Sequence, residues 1–162
     1  MTPLRIVLVV ATFVTTGAAL AHGPATHASK EKKEISTEEK PFGREGHPNK
    51  VSRTIKVGMH DTMRFSPSTL QVKTGETIRF EAKNSGKVMH EMVLGTMDEL
   101  KGHAELMKKH PGMEHSEAYM AHVGPGKTEK IVWQFTKPGE FYYGCLIPGH
   151  FEAGMIGKVA VR

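Results

Sequence analysis

Apolar residues are distributed along this chain in three regimes. Between Ile6 and Val14 they are nearly continuous, between His22 and Lys50 they are sparse, and from Val51 they recur in short runs divided by turn signals. In the third regime Ile55, Val57 and Met59 alternate with polar neighbours, and Leu70 and Val72 do the same ahead of Thr74-Gly75. Thr77 to Ala82 repeats the alternation, and Glu91 to Leu94 is a short apolar run. Lys130 to Phe135 carries the only tryptophan, Trp133, and after the turn Lys137-Pro138-Gly139 come Glu140 to Tyr143 and Gly157 to Val161. A period of two sends successive side chains to opposite faces of a strand, so these runs predict half-buried β-strands. Short strands at this spacing predict an all-β sandwich or barrel.

One segment departs from the pattern. Thr96-x-x-Glu99 reads as a capping box, Leu100 to Lys109 is compatible with a helix despite Gly102, and Pro111-Gly112 stops it. The whole excursion, residues 95–126, is long for a loop in a compact domain, and long loops tend to carry function. In the polar regime, Lys and Glu alternate from Lys30 to Lys40 without an apolar helical face, which predicts a flexible tail over residues 22–50.

The first regime reads as an export signal. A basic start at Arg5, the apolar run and the small residues ending in Ala19-Leu20-Ala21 give the layout of a signal peptide over residues 1–21. An uncleaved N-terminal anchor is the competing reading, but the apolar run is shorter than the roughly 20 residues that span a membrane. Cleavage after Ala21 makes His22 the first mature residue, leaves one domain's worth of chain and leaves no stable membrane span. An exported protein points to the periplasm.

Composition narrows the chemistry. The formal charge is +5 with both signs mixed along the chain, so no nucleic-acid patch is expected; a mildly basic surface attracts acidic partners or membranes only at long range. The single cysteine, Cys145, excludes an internal disulfide, and its thiol requires a partner chain, a reactive role or a metal. The ten histidines and ten methionines supply imidazoles and soft thioethers, both of which ligate copper.

These residue types meet in Gly144-Cys145-Leu146-Ile147-Pro148-Gly149-His150-Phe151-Glu152-Ala153-Gly154-Met155, where four residues separate Cys from His and His from Met. Two imidazoles and a thiolate with a weak axial thioether form an electron-transfer copper site. The second imidazole must come from upstream, and His90, opening the run to Leu94, is the candidate, with His60 as its rival. The competing readings are a buried unliganded thiol at Cys145, a surface histidine at His90 and a core methionine at Met155.

The segment resembles the copper loop of the cupredoxins, the plastocyanin and azurin superfamily. The resemblance extends upstream through Trp133-x-Phe135, Pro138-Gly139-x-Phe141 and Tyr143, and covers Val51 to Arg162. It implies a Greek-key β-sandwich, here with a Met/His-rich, partly helical insertion, and a type 1 copper with His90, Cys145 and His150 equatorial and Met155 axial. Plastocyanin and azurin usually carry Asn directly after the first histidine, whereas this chain has Glu91. Groups around a metal's ligands tune its geometry and potential, so neither property is carried over. Met89-His90-Glu91-Met92-Val93-Leu94-Gly95 looks like the exported copper-tolerance cupredoxins of the CopI type.

Six methionines and five histidines lie between Met89 and His122. Met97 and Met107 are expected in the core. Met113, His115, Met120 and His122 flank Pro and Gly in loop sequence and are the candidates for an additional, Cu(I)-selective site. The alternative is a helix whose methionines pack on the sandwich while its histidines face solvent. His22, as a new N-terminus, and His27 are candidates for a further copper, with ordinary tail histidines as the alternative.

Three functions compete. Copper tolerance, through binding and Cu(I) oxidation, uses the additional Met and His residues. An electron shuttle between redox protein partners uses only the type 1 site. A copper enzyme domain fits poorly: a dinuclear copper-A site requires two cysteines, and the His-x-His pairs that feed a trinuclear cluster do not occur.

Overall fold

A computed structural model describes residues 34–111, 113 and 115–162. The expected signal peptide and the candidates His22 and His27 lie outside these residues. Among the described residues no helix is long and apolar enough to cross a membrane.

Among the described residues, eleven strands form two sheets. They are β1 (Glu39–Lys40), β2 (Gly43–Glu45), β3 (Arg53–His60), β4 (Arg64–Ser66), β5 (Thr69–Val72), β6 (Thr77–Asn84), β7 (His90–Gly95), β8 (Met120–Val123), β9 (Thr128–Gln134), β10 (Gly139–Gly144) and β11 (Ile156–Val161), with helix α1 (Met97–Lys109) between β7 and β8. The first sheet runs β1-β2-β9-β6-β3-β4 and the second β5-β11-β10-β7-β8. Two pairings are parallel, β3 with β6 and β11 with β5; the remaining ladders are antiparallel. This is the all-β sandwich that the alternation predicts, with the helical insertion expected from the capping box.

The alternation states why each strand sits where it does. Ile78, Phe80 and Ala82 of β6 point inward and are fully buried, as are Val57 and Met59 of β3 and Ile131 of β9. Their side chains fill the space between the sheets with Trp133, Phe135, Tyr143 and Met92. Tyr143 faces Gly157 across the β10–β11 ladder, and its hydroxyl donates to Pro67 O at 2.6 Å. Any Cβ at Gly157 would overlap the Tyr143 ring, so a side chain there would displace that ring on the strand leading into the Cys145 loop.

Helix α1 begins at the capping box read from the sequence: Glu99 N donates to Thr96 Oγ1 at 3.3 Å and Thr96 N to Glu99 Oε2 at 2.9 Å. Leu100, Ala104 and Met107 share one face of it and are buried against Val93, Met120 and Leu146 on the outer side of the second sheet. Met107 is therefore a core residue as expected, while Met97 is only half-buried.

Two expectations are corrected. The polar stretch was expected as a flexible tail over 22–50, but within its described part β1 and β2 form a hairpin that pairs with β9. The anchor is Phe42, the one large apolar residue of that segment that is buried, which stacks on Trp133 with ring centroids 5.0 Å apart. Trp133 Nε1 donates to Phe42 O at 2.9 Å. Gly43, at φ +119°, allows the close approach to Gln134 that any side chain would block. Second, Met120 and His122 are not loop residues: they lie on β8, paired with Val93 and Glu91 of β7.

Candidate metal centre

β7 and β10 are neighbours in the second sheet, and the loop between β10 and β11 returns over their ends. That topology brings His90, at the start of β7, to the loop that carries Cys145, His150 and Met155. One ligand atom from each of His90, Cys145 and His150 lies within 4.8 Å of the others, the one such cluster of His, Cys, Asp and Glu among the described residues. Cys145 Sγ is 3.3 Å from His150 Nδ1 and 4.0 Å from His90 Nδ1. His60, the rival, is exposed at the C-terminal end of β3 opposite Arg64, beside the site but outside the cluster.

The loop is fixed by its own backbone. His150 N donates to Ile147 O at 2.9 Å, Met155 N to His150 O at 3.0 Å and Cys145 N to Met155 O at 3.1 Å. Gly149 and Gly154 take φ values of +89° and +90°, which glycine adopts without strain. Arg64 holds the far side of the loop by donating to Ala153 O at 2.7 Å. Met155 is fully buried in the same apolar cluster as Cys145, joined to it through the backbone bond.

Burial dominates the electrostatics. Enclosure pushes the Cys145 thiol up to about 12, although the backbone N–H groups of Glu91 and Ile147 favour the thiolate. Glu91 N lies 3.3 Å from Sγ. Without a metal this group stays a thiol; a cation at the cluster would take over the proton's place. His150 is half-exposed, and its desolvation together with nearby His90 lowers its pKa, which leaves a neutral imidazole. The donor set is thus one sulfur and two imidazole nitrogens in an apolar surround, a set that suits copper.

Sequence reading missed the residue that orients His90. Asp61 accepts from Lys87 N at 2.8 Å and sits 3.1 Å from His90 Nε2. These backbone and ring contacts, the Lys87 N–H foremost, lower its pKa and keep it an anion despite desolvation. A carboxylate at Nε2 fixes the proton there and leaves the Nδ1 lone pair directed at Cys145, as carboxylates do for metal-binding histidines. Gly86 is required for this, because a Cβ there would overlap the Asp61 carboxylate. Asn84, fully buried, holds the same turn: its amide donates to Val88 O at 2.8 Å and Val123 O at 2.7 Å, and its Oδ1 accepts from Gly86 N at 2.8 Å. The only signal in the sequence was a polar run, Lys83-Asn84-Ser85-Gly86, just before the histidine.

The additional candidates separate. Met120 is buried under α1. His122 Nδ1 meets the Glu91 carboxylate at 2.9 Å, and its Nε2 lies 2.9 Å from His115 O. Met113 and His115 line a cleft of about 690 Å³. His103, which the sequence did not single out, places its ring 4.8 Å from that of His115; burial first, then His115 and His122, lower its pKa.

Known proteins place this geometry. The sequence pattern of the plastocyanin/azurin family of copper binding proteins matches residues 51–162. The copper-resistant cuproprotein CopI of Rubrivivax gelatinosus is 50% identical over 157 residues, spanning 95% of this chain and 93% of that protein. CopI of Pseudomonas aeruginosa is 34% identical over 153 residues, spanning 75% of this chain and 82% of that protein. Among solved structures, reduced auracyanin from Roseiflexus castenholzii superposes with a TM-score of 0.60 at 22% identity, over 69% of this chain and 98% of its own. Auracyanin B gives 0.61 at 21% identity, over 74% and 96%. With this fold, this thiol–imidazole cluster and these relatives, the chain belongs to the plastocyanin/azurin family of copper-binding proteins and, within it, is a cupredoxin closely related to the CopI copper-resistance proteins.

Proposed function

We propose that the protein acts in copper tolerance as an exported, periplasmic cupredoxin with a type 1 copper held by His90, Cys145 and His150 and, axially, by Met155. The observation that carries this reading is the convergence of one buried thiol and two imidazole nitrogens within 4.8 Å in a chain whose relatives are copper-resistance proteins. Copper bound there supplies one-electron exchange between Cu(II) and Cu(I). The protein's own part is to hold the donors still: Asp61 sets the His90 tautomer, the loop ladder sets Cys145 against Met155, and the apolar surround keeps water from the thiolate. Binding Cu(I) and oxidising it to Cu(II) is the protective chemistry. An electron shuttle between redox proteins would use the same centre, but the helix and Met/His cleft packed against the copper loop favour copper handling.

Metal analysis of the purified protein tests the choice. Several coppers per chain are expected; a single copper would favour the shuttle. Cys145→Ser should leave a folded protein without intense visible absorption, because a Ser hydroxyl does not ionise to replace the thiolate near neutral pH. An intense band that survives in the variant would refute Cys145 as ligand.

A further inference from the structure

The two outer faces of the sandwich differ in chemistry. That of the second sheet carries α1, packed through Leu100, Ala104 and Met107. That of the first sheet carries charge. Burial alternates along β6, with Ile78, Phe80 and Ala82 turned into the core and Arg79, Glu81 and Lys83 turned outward. The registers set Glu81 between Lys56 of β3 and Lys130 of β9. Residues opposite one another in a ladder share a face, so four cations, Lys56, Arg79, Lys83 and Lys130, surround one carboxylate on the central strands.

Glu81 lies 3.8 Å from Lys130 Nζ and offsets one of these charges. Lys56, Lys83 and Lys130 are exposed. Lys83 Nζ donates to Gly126 O at 2.6 Å, a bond to a neutral carbonyl that leaves its charge in place. Arg79 is half-buried beside the segment 46–50, with Nη2 3.5 Å from Pro48 O. Neighbouring like charges on a sheet oppose each other, and contact with an anionic surface relieves that opposition.

The chemistry of the face selects its occupant. Protein interfaces are centred on aromatic and apolar anchors. The outward positions of the described strands β3, β6 and β9 offer one apolar side chain, Val132, and it is half-buried. A bilayer that contains anionic lipid needs no such anchor, because Lys and Arg are drawn to it by charge within about a Debye length. A sheet face presents its cations on one side, and long lysine stems let the ammonium groups reach phosphates.

We infer that this face docks the protein reversibly on anionic phospholipid, with Lys56, Lys83 and Lys130 as the contacts and Arg79 behind them. Docking goes beyond the copper-tolerance reading and does not depend on the metal. In this orientation α1 is on the side away from the lipid. Lys83 adjoins Asn84, which holds the turn into His90, so the metal centre lies at the rim of the docked face.

The test uses the protein purified after export, so that no apolar leader contributes, with vesicles of phosphatidylcholine alone or mixed with phosphatidylglycerol. Co-sedimentation at low salt should require phosphatidylglycerol and should fall as salt is raised. At about fivefold per charge, the combined variant Lys56→Gln, Lys83→Gln, Lys130→Gln should lower the partition constant on the order of a hundredfold. The variant Lys101→Gln, Lys109→Gln, Lys137→Gln has the same net charge but removes exposed lysines of α1 and of the turn before β10, and it should lose about fivefold or less. Glu81→Gln removes no lysine and should raise binding about fivefold. Equal losses in the two triple variants would reduce the attraction to net charge and overturn the docking face, as would an unchanged partition constant in Glu81→Gln. Binding of soluble polyglutamate but not of vesicles through the same lysines would assign the face to an acidic protein and overturn the bilayer as its occupant.

Discussion

At the scale of single residues, His90 is a ligand candidate because of its neighbour across the fold. Asp61 decides which ring nitrogen faces Cys145. Asp61→Ala should lower copper affinity about 10–100-fold, measured by competition with a chelator, with little change in the fold. Restoration by Asp61→Glu or Asp61→Asn would show how much of the effect lies in charge. Met155 stands at the other extreme: as the proposed weak axial thioether it should be dispensable for binding, so Met155→Leu should keep copper and shift its potential, read by redox titration. Complete loss of copper from folded Met155→Leu would mean the ligands are ranked wrongly. The motif residues themselves were legible, because Cys, His and Met stand at fixed spacing on one loop. Asp61 was not, since a single aspartate 29 residues from its partner carries no periodicity and no motif.

At the scale of elements, the strands with apolar alternation and the capped helix could be read from sequence, whereas those held by one contact could not. β8 looks like loop because its histidine and methionine also suit a metal-binding excursion, yet Val123 and Ala121 point into the core and fix it to β7. The β1–β2 hairpin rests on Phe42 alone among large buried residues, set in a stretch whose charge pattern outweighs it. Phe42→Ala should therefore cost about 3–5 kcal/mol, seen as a lower denaturant midpoint, and should free the hairpin to proteolysis without altering the copper spectrum. Retained protection of the hairpin would show that backbone pairing with β9 suffices. Asn84→Ala, which strips two backbone partners in the turn before β7 and a third on β8, should destabilise by about 2–4 kcal/mol and also weaken copper binding, because that turn delivers His90.

At the scale of the molecule, two buried groups link proton binding to stability. The Cys145 thiol, raised from 9.0 to about 12, and the Tyr143 phenol, also raised by burial, hold their protons in the native state. In the unfolded chain they release them at ordinary values, so above about pH 9 the unfolded state binds fewer protons and stability falls as pH rises. Below that, these two groups contribute no pH dependence. The metal-free protein should thus unfold at lower denaturant concentration at about pH 10.5 than at about pH 8, and copper loading should remove the Cys145 share because the thiol is then already deprotonated. Equal midpoints in the metal-free protein would contradict the enclosure of both groups.

The placement of β11 governs when during its own synthesis the chain becomes able to hold metal. β11 lies between β10 and β5 and is the ladder partner through which β5 joins its sheet. Met155, at its threshold, closes the loop by accepting from Cys145 N. A polypeptide emerging N-terminus first displays His90 long before Cys145, 55 residues later, a lag of about 3–11 s at roughly 5–20 residues per second. The donors therefore converge only after β11 has left the ribosome. A nascent chain carries scattered histidines and methionines but no assembled cluster, so the donors meet only in the folded chain.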